Sequence, residues 1–264
     1  MSAKAAQRTY TLQFWLLCLS SYLFFASFNM IIPELPAYLT SLGGEDYKGL
    51  IISLFTLTAG LSRPFSGKLT DKIGRIPVMV FGAAVCFVIG FLYPMITSVA
   101  GFLLLRFFHG FSTGFKPTGT VAYVADIVPI NRRGEAMGLA SAFGTMGMAS
   151  GPAIGSEVAL RFSLETMFQT SSFVAILSVL ILIGMKETLS TPEKFKLSHL
   201  KIGAQDIYEK DVLLPSVVMM LSVFSFGIVL TVIPDFSEHI GMQNKGTFFT
   251  VFTLASLAVR FFAG

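Results

Sequence analysis

Runs of about twenty apolar residues recur along this chain, and they constrain its fold more than any other feature. They cover residues 12–33, 49–66, 77–98, 100–124, 136–159, 167–185, 212–234 and 246–264. A helix of about 20 residues crosses the ~30 Å hydrocarbon core of a bilayer. None of the runs alternates as the ~10-residue strands of a membrane barrel do. The expected fold is therefore all-α, a polytopic membrane helix bundle. Only 13% of the 264 residues are charged, against about a quarter in soluble domains. That excludes a water-soluble enzyme, and 53% hydrophobic residues exclude disorder. A net charge of +4 invites a nucleic-acid reading, but the basic residues are scattered between apolar runs. Cys18 and Cys86 both sit inside such runs, so neither a disulfide framework nor a metal site is expected, and no cofactor is implied.

Lys and Arg set the orientation. With the N-terminus inside, the inner segments hold Lys4, Arg8, Lys68, Lys72, Arg75, Arg132, Arg133, Lys186, Lys194, Lys196, Lys201 and Lys210. The outer loops hold only Lys48, Arg161 and Lys245. Cytoplasmic loops carry the excess of positive charge, so the N-terminus is expected in the cytoplasm of a cell-membrane protein. The first run is too long for a signal-peptide core and no small-residue cleavage site follows it. It reads as a first membrane helix.

The chain also contains the start of a second copy of itself. FTLTAGLSRPFSG begins at Phe55 and FTLASLAVRFFAG at Phe252, 197 residues on. Lys48-Gly49 meets Lys245-Gly246 at the same offset, and Ile32-Pro33-Glu34 resembles Ile233-Pro234-Asp235 with a four-residue gap. This predicts parallel repeats of six-helix halves. Residues 1–185 are expected to form the N-terminal six-helix bundle. Residues 186–211, long and charged, read as a cytoplasmic linker, and 212–264 as the first two helices of the second half. On this pattern the second half would end near residue 387, so the chain is expected to be a C-terminally truncated fragment.

Several motifs fall between and within these spans. The turn between spans two and three reads Gly67-Lys-Leu-Thr-Asp71-Lys72-Ile-Gly74-Arg75. Gly67 is expected to allow close helix approach, Gly74 to permit unusual backbone geometry, and Asp71 to accept from a helix N-terminus. This G-x-x-x-D-[RK]-x-G-R pattern resembles the signature loop of the major facilitator superfamily. Arg106-x-x-x-Gly110 in span four, with Gly114, is similar to that family's R-x-x-x-G element. The loop Arg132-Arg133-Gly-Glu-Ala-Met-Gly, after Asp126, resembles the one between helices four and five. Gly147-x-x-x-Gly151-Pro152-x-x-Gly155 is close to the element associated with proton-coupled exporters. Ile32-Pro-Glu-Leu-Pro-Ala-Tyr-Leu resembles the outer end of helix one in the drug-exporter, proton-antiporter branch. The resemblance implies a transporter whose halves rock around a central site, with Arg106 aiding proton coupling. In many such exporters helix one carries an acid where this chain has Asn29. That departure leaves the titrating acid to spans expected beyond Gly264.

The residues support their own reading. Gly147, Gly151 and Gly155 share one helix face and suit close packing, and Pro152 permits a bend. The seam is either static packing or a moving hinge. For Gly110 and Gly114 packing is the expected role. His109, Ser112, Thr113, Lys116 and Thr120 form one stripe of span four. Buried cations avoid lipid, so Arg106 and Lys116 are expected to face a watery cavity or an anionic partner, with Asn29, His109 and Thr113 as further cavity candidates. Glu34 is expected to be solvated, Glu157 to pair with Arg161, Asp126 with Arg132 or Arg133, and Asp235 to repeat Glu34.

The leading expectation is proton-coupled efflux of a small amphipathic compound by a monomeric, multi-pass membrane transporter. Transport of a sugar or anionic metabolite is the second reading, since Lys116 suits an anion. A non-transporting sensor or scaffold is the third. No phosphate-binding G-x-x-x-x-G-K-[ST] loop occurs, and His109, His199 and His239 lie far apart in topology, so no enzymatic constellation is expected.

Overall fold

The computed structural model describes residues 10–203 and 210–263. Lys4, Arg8, the linker stretch 204–209 and the last repeat match at Gly264 lie outside the described residues, as does the side chain of Arg260. Among the described residues there is no strand. The helices are α1 (Leu12–Met30), α2 (Leu35–Ser41), α3 (Lys48–Lys72), α4 (Arg75–Leu92), α5 (Val99–Ile127), α6 (Arg133–Arg161), α7 (Leu164–Ile183), α8 (Lys210–His239) and α9 (Gly246–Ala263). Short 3-10 turns join several of them. By length and composition, Leu12–Ser41, Arg75–Met95, Leu164–Ile183 and Lys210–His239 are apolar enough to cross a membrane, and Gly246–Ser256 is a shorter apolar stretch. The charged residues of α3 and α5, and the glycines of α6, make those three helices less apolar.

Local sequence sets the boundaries. Ser98 and Ser163 cap α5 and α7, their hydroxyls accepting from Gly101 N (3.2 Å) and Thr166 N (3.0 Å). The first apolar run was expected as one element over 12–33, but α1 stops at Met30. Pro33 and Pro36 each lack an N–H, so the chain passes through a 3-10 turn, Ile32–Glu34, into α2. In the second copy only Pro234 is matched, with Ser237 in place of the second proline, and α8 stays helical. The two copies agree again at their tight turns. Gly43 (φ +84°) and Gly241 (φ +77°) both adopt the left-handed conformation, shortly before α3 and α9 begin.

α1 packs on α6 and α7, α5 on α3 and α4, α4 on α7, and α6 on α9. One apolar cluster, with Phe14, Met79, Tyr123 and Leu182, fills the end of the bundle that holds the α3–α4 turn. A second, with Leu35, Ile51, Tyr93 and Phe168, fills the distal end. α8 leaves most of its apolar side chains uncovered.

Candidate functional site

The α3–α4 turn is a folded charge cluster. Gly74 sits at φ +120°, a conformation that favours glycine, and the chain reverses there into α4. Arg75 is central: its Nε lies 2.9 Å from Asp126 of α5, its Nη1 lies 3.4 Å from Asp71, and Nη1 also donates to Thr70 O. Asp126 thus pairs with Arg75, not with Arg132 or Arg133 as expected. The ends of α4 and α5 are adjacent, whereas Arg132 turns to Glu135 (2.8 Å) and Arg133 to the carbonyl of Val128. Asp126 also accepts from Thr188 (2.6 Å). Glu187, which sequence reasoning passed over, caps α4 by accepting from the backbone N–H of Arg75 (3.1 Å) and Ile76 (2.9 Å). Its signal is an acid just after span six; its partner is set only by the fold. Lys72 pairs with Glu193 of the linker (3.1 Å), and His199 lies 3.3 Å from the same carboxylate. The Lys72 ammonium holds the Glu193 carboxyl below its ordinary value of 4.5. Among the described residues a Cβ on Gly67 would meet nothing within 4 Å, and Gly67 lines a groove with Arg63, Lys68 and Asp71.

The other glycines are contact points. A Cβ on Gly147, Gly151 or Gly155 would strike the carbonyl oxygens of Tyr22, Ala26 and Met30, so α6 lies against the backbone of α1 along the whole seam. Gly110 and Gly114 meet α3 in the same way, at Phe55 O and Ser62 Oγ. Around Pro152, α9 and the turn before it reach the backbone of α6: Thr250 donates to Ala149 O (2.5 Å) and Asn244 to Ala153 O (3.2 Å).

The cations of α5 lie inside the bundle. Arg106 is fully buried; Nε donates to Ile51 O (2.9 Å), Nη1 to Tyr93 Oη (3.4 Å), and the guanidinium lies 4.8 Å from the Phe55 ring centroid. Its Nη2 has no partner among the described residues. His109 is placed between Tyr93 Oη (3.4 Å) and Cys86 Sγ (3.5 Å), edge-on to Phe28 and Phe55. Lys116 is fully buried, donates to Ser21 Oγ of α1 (2.6 Å) and sits 5.4 Å from the Phe24 ring centroid. The stripe expected to face a cavity instead meets neighbouring helices at His109, Ser112 and Lys116. Gly82 of α4 explains the closure: a Cβ there would come within 2.8 Å of the Lys116 Cβ. Thr113 is half-buried and donates only to Gly110 O (3.3 Å). Asn29 donates to Phe25 O (2.7 Å) and borders a small gap between α1, α6, α8 and α9.

A cavity of about 380 Å³ opens between α1, α5 and α6. Ser21, Phe25, Thr120, Met137, Thr145 and Met148 are among its walls. Ser21 is thus both a wall residue and the acceptor for Lys116.

At the distal end the N-terminal helices meet α8 and α9. Glu34 was expected to be solvated, but the 3-10 turn swings it beneath α6, where it is buried and accepts from Ser156 (2.7 Å). The same hydroxyl accepts from Gly246 N at the start of α9 (3.2 Å). Lys48 pairs with Asp235 (3.0 Å), joining α3 to α8, while Lys245 pairs with Glu238. Asp235 therefore does not repeat the setting of Glu34, its partner being a lysine at the start of α3. Glu157 pairs with Arg161, as its i,i+4 spacing suggests.

The family model described as Major Facilitator Superfamily matches residues 17–264. The chain belongs to this superfamily. It is 33% identical over 178 residues to the multi-drug resistance efflux pump PmrA of Streptococcus pneumoniae, covering 65% of this chain and 44% of that one. It is 32% identical over 192 residues to the multidrug resistance protein MdtG of Serratia proteamaculans, covering 70% and 46%. The chain thus spans about half the length of these relatives. Its fold is similar to that of the human organic anion transporter MFSD10, with a TM-score of 0.71 at 20% identity, covering 91% of this chain and 69% of that one. Within this major facilitator chain the turn cluster, the glycine seams and Arg106 lie on the segments that carry the motifs, whereas Lys116 belongs to no family motif and is picked out by its place on the span-four stripe. What the motifs did not locate is the cavity wall, because a wall is made by three helices at once.

Proposed function

We propose that this chain belongs to a secondary transporter that exports a small amphipathic compound in exchange for protons. In this reading residues 1–185 form one bundle, 186–211 a cytoplasmic linker and 212–264 the start of a second bundle. The N-terminus lies in the cytoplasm, and the transporter works as a monomer. The observation that carries the reading is the cavity between α1, α5 and α6, whose walls mix aromatic, methionine and hydroxyl side chains. Such walls take up an apolar body and fix one polar group. The efflux relatives support the direction of transport. Arg106 is assigned to proton coupling, since a cation held by a carbonyl and a phenol responds to charge changes nearby. Reconstituted into proteoliposomes, the transporter should move amphipathic dyes faster when a pH gradient is imposed, and Arg106→Ala should abolish the response. Flux indifferent to the gradient across a broad panel of dyes would refute proton coupling.

A further inference from the structure

Lys116 is a buried cation whose hydrogen bond goes to a neutral hydroxyl. The acids of the surrounding helices lie at their ends. Asp126 is engaged by Arg75, Glu135 by Arg132, and Glu157 by Arg161. Glu34 is taken by Ser156 at the distal end. Facing Lys116 from α1 are Cys18, Ser21 and Phe24, and the Gly82 backbone of α4 lies against it. Its charge is therefore not neutralised by a carboxylate from any of these helices. The phenyl ring of Phe24 offsets part of the burial cost. The ammonium stands directly behind Ser21, which lines the cavity.

We infer that the α1–α5–α6 wall selects its ligand by charge: it takes an amphipath bearing a carboxylate or other anionic acceptor and rejects a lipophilic cation. Ser21 is the bridge. Its oxygen accepts from Lys116, which leaves its hydroxyl proton free to point into the cavity, and a carboxylate there gains both that hydrogen bond and the field of the ammonium. Two hydrogen-bond lengths place the ligand charge roughly 5–6 Å from Nζ. At an effective dielectric of about 20, one charge at that range changes affinity on the order of a hundredfold. Water in the open cavity lowers this, so about tenfold is the expected minimum. Phe25, Met137 and Met148 would hold the apolar body of the ligand. The inference deepens the efflux reading by naming the substrate class of the same cavity.

Three probes with one dansyl ring test it: dansylglycine (anionic), dansyl amide (neutral) and a dansyl quaternary ammonium. Binding is read by fluorescence to the purified intact transporter in nanodiscs. Wild type should bind dansylglycine at least about tenfold more tightly than the ammonium probe. Lys116→Met should bring the two within about threefold while leaving dansyl amide unchanged, and Lys116→Arg should keep the order. An ammonium probe that binds as tightly as dansylglycine would overturn the inference, as would a Lys116→Met variant that keeps the gap, or a wild type that does not bind dansylglycine. If Lys116→Met also loses the neutral probe through misfolding, Ser21→Ala decides: a shrunken gap supports the inference and an unchanged gap overturns it. A charge preference without flux in proteoliposomes supports the binding inference and counts against the transport reading alone.

Discussion

The α1–α6 seam allows a quantitative test, and Gly151→Ala is the perturbation of choice. An added methyl would press on the Ala26 carbonyl oxygen, with the Ala26 Cα and carbonyl carbon only 3.1 Å away. Neither is the tip of a flexible side chain, so the helices themselves must part. Ordinary carbon contacts lie near 3.5–4.0 Å, which asks for a separation of roughly 0.5–1 Å. That gap forfeits a quarter to a half of each pairwise attraction of about 0.1–0.2 kcal/mol. Overpacking of this kind costs roughly 1–3 kcal/mol. Alanine's better helix propensity, worth about 1 kcal/mol at most, works in the opposite direction. Gly138→Ala isolates that gain, because a Cβ on Gly138 meets nothing within 4 Å on the same helix. The propensity gain is common to both variants, so they should differ by the packing cost alone, roughly 1–3 kcal/mol, or about 2–12 °C in Tm. Trp15 on α1, its ring 6.0 Å from Phe143 on α6, gives a fluorescence reporter at the seam. A Gly151→Ala protein that unfolds within about 1 °C of Gly138→Ala would refute close packing as the role of this glycine.

Further expectations concern the two ends of the bundle. Ser156→Ala removes the donor to the buried Glu34 carboxylate and should cost about 1–3 kcal/mol in thermal unfolding, whereas Ser156→Thr, which keeps a hydroxyl, should cost less; equal losses would sink the assignment. Lys48→Ala should change stability by no more than about 1 kcal/mol, since both side chains of its pair with Asp235 are partly exposed. It should nevertheless speed thiol labelling of a Ser237→Cys probe, and the swapped pair Lys48→Asp with Asp235→Lys should slow it again. At the linker, the lowered Glu193 carboxyl stabilises the strap fully above its ordinary value of 4.5, and the contribution is lost as the pH falls through its lower folded value. Hydrogen-exchange protection of the segment around Lys194 and Lys196 should therefore fall as the pH drops from 4.5 through that lower value, and Glu193→Gln should remove the pH dependence.

How far the chain can be read without its fold differs from residue to residue, for physical reasons. The glycine seam was legible because three glycines four apart have one strong consequence, a helix face on which another backbone can lie, and α1 lies there. The spans were legible from length and apolarity, but the break after Met30 was not, since counting apolar residues ignores the N–H groups that Pro33 and Pro36 lack. The partners of charges were least legible. Sequence proximity favoured Arg132 or Arg133 for Asp126, yet Arg75, fifty-one residues away, takes it because two helix ends are adjacent. Glu34 followed the same logic, since its depth depends on a single 3-10 turn. Lys116 shows the limit most clearly. Helical periodicity identifies its face, but whether that face meets water or a neighbour depends on one hydrogen atom at Gly82, which lets α4 close over it. Closed in, the ammonium cannot touch a solute; it acts through Ser21. A buried, unneutralised charge is costly enough that its usual fate is replacement or pairing. Its place one hydroxyl behind a cavity wall gives that cost a use, because the cavity then carries a fixed positive field without a mobile side chain in the path of the ligand.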